Sequence, residues 1–218
     1  MKTKNVIVTL SALTTFVIMA VSCGNQGNNK TSDDGTELKD TVITGQELFR
    51  ENCAGCHGID KEGMPPKVPS LVNIKDKMSK DQVYSSVKGG KVLMHAFADL
   101  PDNEIYTISS YLFNEADQQT TVKRNTLAEL GKNMVRSNCL SCHHLTVKDS
   151  VPASAKTLCP LITPSALVGE AKQPTQEQFY LILKTGPCYM PSFDFLNAKD
   201  KLAIWTYLNS LRTKTKPN

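Results

Sequence analysis

The sequence predicts an all-α fold built as two tandem units. Apolar residues recur at helical spacing before and after each half, nothing alternates strongly enough for a sheet, and one order of features runs twice along the chain. Gly45 and Gly131 each lie eight residues before a C-x-x-C-H string, at 53–57 and 139–143. Asn52 matches Asn138, and Arg50 matches Arg136. Downstream, Met94-His95-Ala96-Phe97 matches Met190-Pro191-Ser192-Phe193, with Gly90 and Gly186 four residues before the methionines. Leu100 matches Leu196, and Tyr111-Leu112 matches Tyr207-Leu208. The second unit carries ten extra residues between its C-x-x-C-H string and its methionine.

Residues 1–22 read as a targeting segment. Lys2 and Lys4 form a basic start, and 6–21 is apolar with scattered Thr and Ser. That stretch is too short and too broken for a permanent anchor, and no other segment is apolar enough to span a membrane. Residues 23–40, rich in Gly, Asn, Lys, Asp and Thr, are expected to form a flexible tether reaching roughly 25 Å. The first unit is placed at 41–116, a polar joining stretch at 117–125 and the second unit at 126–213. Each opens on a capping box, Thr44-x-x-Glu47 or Thr126-x-x-Glu129. The helix that follows has Leu48 and Phe49, or Leu130 and Met134, on its apolar face. The last helices are expected at 102–112 and 198–211, the latter with Leu202, Trp205 and Leu208 at helical spacing. Prolines at 65, 66, 69, 160, 164 and 174 mark the loops between. Units of about 75–90 residues are too small for a large apolar core of their own.

The two strings supply what such units lack. C-x-x-C-H is the attachment sequence for c-type haem. Two thiols on one short turn form thioethers to the two vinyl groups, and His57 or His143 then presents its imidazole to the iron. Two covalently bound haem c groups are therefore expected, at Cys53 and Cys56 and at Cys139 and Cys142. A zinc site of four cysteines would not need His directly after both pairs. A thioredoxin-like pair needs a βαβ context that the sequence lacks. Seven cysteines are many for a reducing compartment. The formal charge of +4, half of it from Lys2 and Lys4, makes no case for nucleic acid. A modest lysine excess suits docking to an acidic redox protein.

In each half, this order of features resembles the class I cytochrome c domain. That family has a first helix with a glycine, then C-x-x-C-H, a proline loop, a methionine ligand and a last helix bearing an aromatic. The resemblance covers about 41–113 and 126–211. It implies that first and last helices pack together, and that His57 and Met94, or His143 and Met190, bind the iron. Met190 is the one methionine after the second string. Register against it selects Met94 over Met64 and Met78. Pro69, followed by Ser70-Leu71, resembles the family's proline loop, in which a backbone carbonyl accepts the proximal imidazole N–H; Pro164-Ser165-Ala166-Leu167 is the closest equivalent in the second half, with Pro160 the alternative. His95 and His144 read as surface or haem-rim side chains. Cys159 and Cys188 remain once the four haem cysteines and Cys23 of the leader region are set aside, and the reading that fits is a disulfide tying the insert to the methionine loop. The alternative is a thiolate ligand or reactive sulfur beside the haem.

The segment Ala20-Val21-Ser22-Cys23-Gly24 resembles the lipobox of bacterial lipoproteins. It implies cleavage before Cys23, lipid on that thiol and an extracytoplasmic, membrane-anchored protein on the periplasmic side. With both axial positions of each iron filled, no catalytic residue is expected. The function implied is single-electron transfer between a redox-protein donor and acceptor, with the membrane contacted through the lipid on Cys23. Two alternatives stand beside a mobile carrier: a cytochrome subunit of a larger dehydrogenase, oxidase or reductase complex, and a dihaem enzyme such as a thiosulfate-oxidising cytochrome.

Overall fold

The computed structural model describes residues 40–116, 118–124 and 126–214. The expected leader, Cys23 and nearly all of the expected tether lie outside the described residues. The chain opens on β1 (Thr41–Thr44), followed by α1 (Gly45–Asn52), α2 (Ala54–His57), α3 (Lys80–Gly89) and α4 (Asp102–Leu112). Strand β2 (Gln119–Val122) leads into α5 (Leu127–Asn138), α6 (Ala153–Leu158), α7 (Gln176–Thr185) and α8 (Ala198–Lys214).

Caps explain where the helices begin. Thr44 and Glu47 close a full capping box at α1, and Ser79 with Gln82 and Thr175 with Gln178 do the same at the equivalent helices α3 and α7. Thr126 Oγ1 accepts from Glu129 N at 3.1 Å to start α5. At α8, Asn197 Oδ1 accepts from Asp200 N at 2.9 Å while Asp200 Oδ2 accepts from Asn197 N at 3.2 Å. Helices α3 and α7 stop at Gly90 and Gly186, both at positive φ.

First and last helices of each repeat pack together. A Cβ on Gly45 would overlap the Thr107 carbonyl oxygen of α4, and one on Gly131 would overlap the Ala203 carbonyl oxygen of α8. Glycine lets the backbones touch. Around these crossings lie two separate cores. The first includes Leu48, Phe49, Ile105 and Ile108; the second includes Leu130, Met134, Ile204 and Leu208. Leu202 departs from expectation, because it is exposed while Ala203 and Ile204 are buried. At the close crossing Gly131 meets the α8 backbone at Ala203 and Ile204, so this side of α8, and not Leu202, faces α5.

The chain is also not helical throughout. β1 and β2 pair antiparallel, with Thr41 opposite Val122 and Thr44 opposite Gln119. Their buried members, Ile43 and Val122, join the first core. These are short β-branched runs whose partners lie far apart in sequence, so pairing rather than local pattern makes them strands. The joining stretch is thereby tied to the start of the first repeat. Among the described residues, no helix is long and apolar enough to cross a membrane.

Candidate functional site

Helices α1 and α5 each deliver a cysteine at their C-terminal end. Cys53 N donates to Phe49 O at 2.8 Å and Cys139 N to Val135 O at 2.9 Å. The chain then tightens into one turn. Cys56 N and His57 N both donate to Cys53 O, at 3.2 and 3.0 Å; Cys142 N and His143 N donate to Cys139 O at 3.1 and 2.8 Å. Each string thus holds its two thiols and its imidazole within a single turn.

His57 Nδ1 donates to Pro69 O at 3.1 Å, and His143 Nδ1 to Ser165 O at 2.9 Å. Such a bond fixes the ring and leaves Nε2 for a metal. Pro69 takes the place expected of it. In the second repeat the acceptor is Ser165, within the expected 164–167 stretch. Burial holds His57 below the usual imidazole range, with the Pro69 carbonyl opposing. A neutral imidazole is the form that binds iron.

The thiols sit in apolar surroundings. Burial pushes Cys53, Cys139 and Cys142 up to about 12, and Cys56 in the same direction. Among the described residues, no cluster of His, Cys, Asp and Glu is arranged to hold a bare metal ion.

The methionines ride on matched loops. Gly90 turns the chain at φ 71° and Gly186 at φ 56°. A side chain at either would press on the backbone oxygen of Met94 or Met190, each 2.6 Å from the added Cβ. Lys91 N donates to Met94 O at 2.8 Å, and Met190 N to Pro187 O at 3.1 Å. Beyond them, Phe97 N donates to Val87 O and Phe193 N to Leu183 O. Met94 packs against the first core and Met190 against the second.

In the second repeat these parts surround a cavity of about 490 Å³, lined by Cys139, Cys142, His143 and Met190, with Phe179, Leu183 and Leu208 among its apolar walls. That volume falls within the roughly 300–1,000 Å³ that holds a cofactor-sized ligand. Lys172 and Arg212 also line it and suit two carboxylates. Thiols, an oriented imidazole, a thioether and an apolar chamber together fit a covalently attached haem.

The insert contributes α6, whose Ser154 Oγ donates to Ser141 O at 2.6 Å. Cys159, at the end of α6, makes a thiol contact with Cys142. Cys159 and Cys188 line the same cavity but are both thiols, so the expected disulfide is not formed in this structure. His144 Nδ1 lies 2.9 Å from Thr146 O and 3.1 Å from Asp149 O, which makes it part of a local turn. His95 is less bland than expected. Its Nδ1 shares a hydrogen bond of 3.2 Å with Ser141 Oγ, inside the other repeat's string.

That contact belongs to an interface between the repeats that was not read from the sequence. Gly55 N donates to Asn138 Oδ1 at 3.1 Å, and Asn138 Nδ2 donates to Glu51 O at 2.7 Å. Ser137 Oγ donates to Asn52 Oδ1 at 3.1 Å. Arg50 pairs with Asp200 at 3.2 Å, and its counterpart Arg136 pairs with Asp99 at 2.8 Å. Arg124 and Glu51 form a buried ion pair beside them. The signal available was the repeated Arg and Asn before each string, which occupy equivalent places on the two sides.

Comparison with known proteins agrees with these features. The family model described as "Cytochrome C oxidase, cbb3-type, subunit III" matches residues 40–112 and again 126–208. The cytochrome bc1 complex cytochrome c subunit of Mycobacterium tuberculosis is 28% identical over 170 residues, covering 69% of this chain and 55% of that protein. Cytochrome c-551 of Bacillus subtilis is 30% identical over 96 residues, 44% of this chain and 83% of that protein. The Cbb3-type cytochrome c oxidase subunit CcoP of Helicobacter pylori is 29% identical over 109 residues, 48% of this chain and 38% of that protein. The chain spans about half the length of the mycobacterial relatives it matches. With both repeats inside one family model, the chain belongs to that family, as a dihaem class I cytochrome c that binds covalent haem and transfers electrons.

Proposed function

We propose that Cys53, Cys56, His57 and Met94 hold one haem and Cys139, Cys142, His143 and Met190 the other, in domains at 41–116 and 126–213. When bound there, the haem would supply one-electron exchange between Fe(II) and Fe(III), with one imidazole and one thioether of the chain available to hold each iron. The chain's residues set the terms of that exchange. Pro69 and Ser165 orient the imidazoles through their carbonyl oxygens. The soft thioethers of Met94 and Met190 favour reduced iron and raise the potential relative to a second imidazole. Apolar walls such as Phe179 and Leu183 keep water from the second site.

The observation that carries the reading is the bond from Gly55 N to Asn138 Oδ1. It joins the middle of one attachment string to the residue just before the other, which favours a two-centre relay within one chain. We place this relay in a membrane respiratory assembly, as a cytochrome subunit on the extracytoplasmic side, held to the bilayer by lipid on Cys23. Relatives named as subunits of a bc1 complex and of a cbb3-type oxidase support that place. The donor and acceptor are then a quinol-oxidising complex and a terminal oxidase or reductase. A lipid-tethered mobile carrier is the second reading, favoured by the match to cytochrome c-551 over 83% of that protein.

Mild-detergent purification from native membranes, followed by peptide mass analysis, tests both levels. The expected result is a stable complex whose chain carries haem on both cysteine pairs and lipid on Cys23. An isolated, lipid-bearing dihaem chain would favour the carrier. Haem on only one pair would overturn the relay.

A further inference from the structure

We propose that His95 is a positioning residue linking the two haem centres: through Ser141 it ties the loop bearing Met94 to the second attachment string, so that ligation at one iron is felt at the other. This rests on the assignment of Met94 and His143 as ligands. His95 directly follows Met94 and stands where the second repeat has Pro191. Its Nδ1 lies 3.2 Å from Ser141 Oγ. Ser141 is buried in the middle of 139–143, two residues before His143, and its carbonyl accepts from Ser154 Oγ at 2.6 Å. A displacement of Ser141 therefore passes directly into the turn that presents Cys142 and His143.

The other end of the link is equally constrained. The imidazole packs on the Phe97 ring at 4.2 Å between centroids. Phe97 is buried in the first core, and its N–H donates to Val87 O at 2.9 Å. Among the described residues His95 Nε2 is buried with no hydrogen-bond partner, so the contact with Ser141 is the one polar tie of the ring among them. Proline at this position would offer no polar atom for it.

The reverse contact is apolar. Gly55 is the counterpart of Ser141, and a Cβ there would lie 2.9 Å from Cε1 of Phe193, three residues beyond Met190. Each methionine loop thus leans on the other repeat's attachment string, and among the described residues of the two loops His95 alone does so with a directional bond. Contiguous contacts of this kind carry coupling, and coupling between two sites is reciprocal.

Redox titration of the haem-loaded full chain, followed by its visible spectrum, tests the link. His95→Ala and Ser141→Ala are each expected to shift the midpoint potentials of both haems in the same sense. The double variant is expected to shift them no further than the larger single change, because both remove one bond. His95→Gln, whose amide can still reach Ser141, is expected to stay nearer to the unsubstituted protein than His95→Ala. No shift at the second haem, or additive shifts in the double variant, would overturn the link. Ser141→Ala keeps the test open if His95→Ala fails to fold. Met94→Ala and Met190→Ala assign each wave to its haem through loss of the sulfur-to-iron charge-transfer band. If Met94→Ala leaves that band unchanged, the ligand assignment fails; if the band is lost but His95→Ala leaves the second haem unmoved, only the link fails.

Discussion

Gly131→Ala tests the helix crossing that gives the second repeat its shape. A Cβ at residue 131 would overlap the Ala203 carbonyl oxygen and lie 3.0 Å from Ile204 N. Both atoms belong to the backbone of α8, so neither can swing aside as a flexible side chain would. The helices must separate. Leu130, Met134, Ile204 and Leu208, each at most 2% exposed, then lose contact. Overpacking of this kind costs about 1–3 kcal/mol, or more where backbone is struck. Alanine's better helix propensity returns up to about 1 kcal/mol. The net expectation is a loss of about 1–2 kcal/mol, or a Tm lower by about 2–8 °C for a chain of this size. Gly89→Ala is the matched control, because no heavy atom lies within 4 Å of its added Cβ. That change is expected to leave stability unchanged or raise it by up to about 1 kcal/mol. Thermal melts of the haem-loaded protein by circular dichroism decide the matter. A Gly131→Ala protein melting at or above the unsubstituted one, or two glycine variants moving alike, would refute the reasoning.

Two further outcomes concern a buried ion pair and the two spare cysteines. Arg124→Met would leave Glu51 buried without its partner, at an expected cost of about 3–5 kcal/mol at neutral pH. Burial pushes the Glu51 carboxyl above the usual carboxylate range, against the pull of Arg124. A raised pKa in the folded state favours the protonated form, so its stabilising effect is complete below the ordinary value and lost as pH rises through the raised one. The variant's deficit in denaturant midpoint should therefore narrow as pH falls from 7 toward 4, and a constant deficit would contradict this. For the spare cysteines, alkylation of the denatured, unreduced haem-loaded protein should label both Cys159 and Cys188 while the haem-linked cysteines stay unlabelled. Absence of label at both would mean that they are bridged in the mature protein.

What could be read from the sequence was whatever is written locally. The capping box at Thr44, the span of α4 and the matched loops before Met94 and Met190 all depend on residues a few positions apart. What escaped depends on distant partners. β1 and β2 are four-residue runs that become strands only by pairing across some eighty positions. Leu202 has the spacing of a core residue, yet α8 presents its backbone at Ala203 and Ile204 to Gly131, and Leu202 is left exposed. The face between the repeats, with Arg50 on Asp200 and Arg136 on Asp99, was present only as an unexplained match of residues.

Carbon monoxide binds ferrous haem wherever the iron has an open or weakly held position. Exposure of the fully reduced, native protein to carbon monoxide is therefore the most direct test of two closed electron-transfer centres. The expected result is a visible spectrum unchanged at both haems until the protein is denatured. Ready carbon monoxide binding at either haem in the native state would contradict methionine closure there and point to a centre built for substrate.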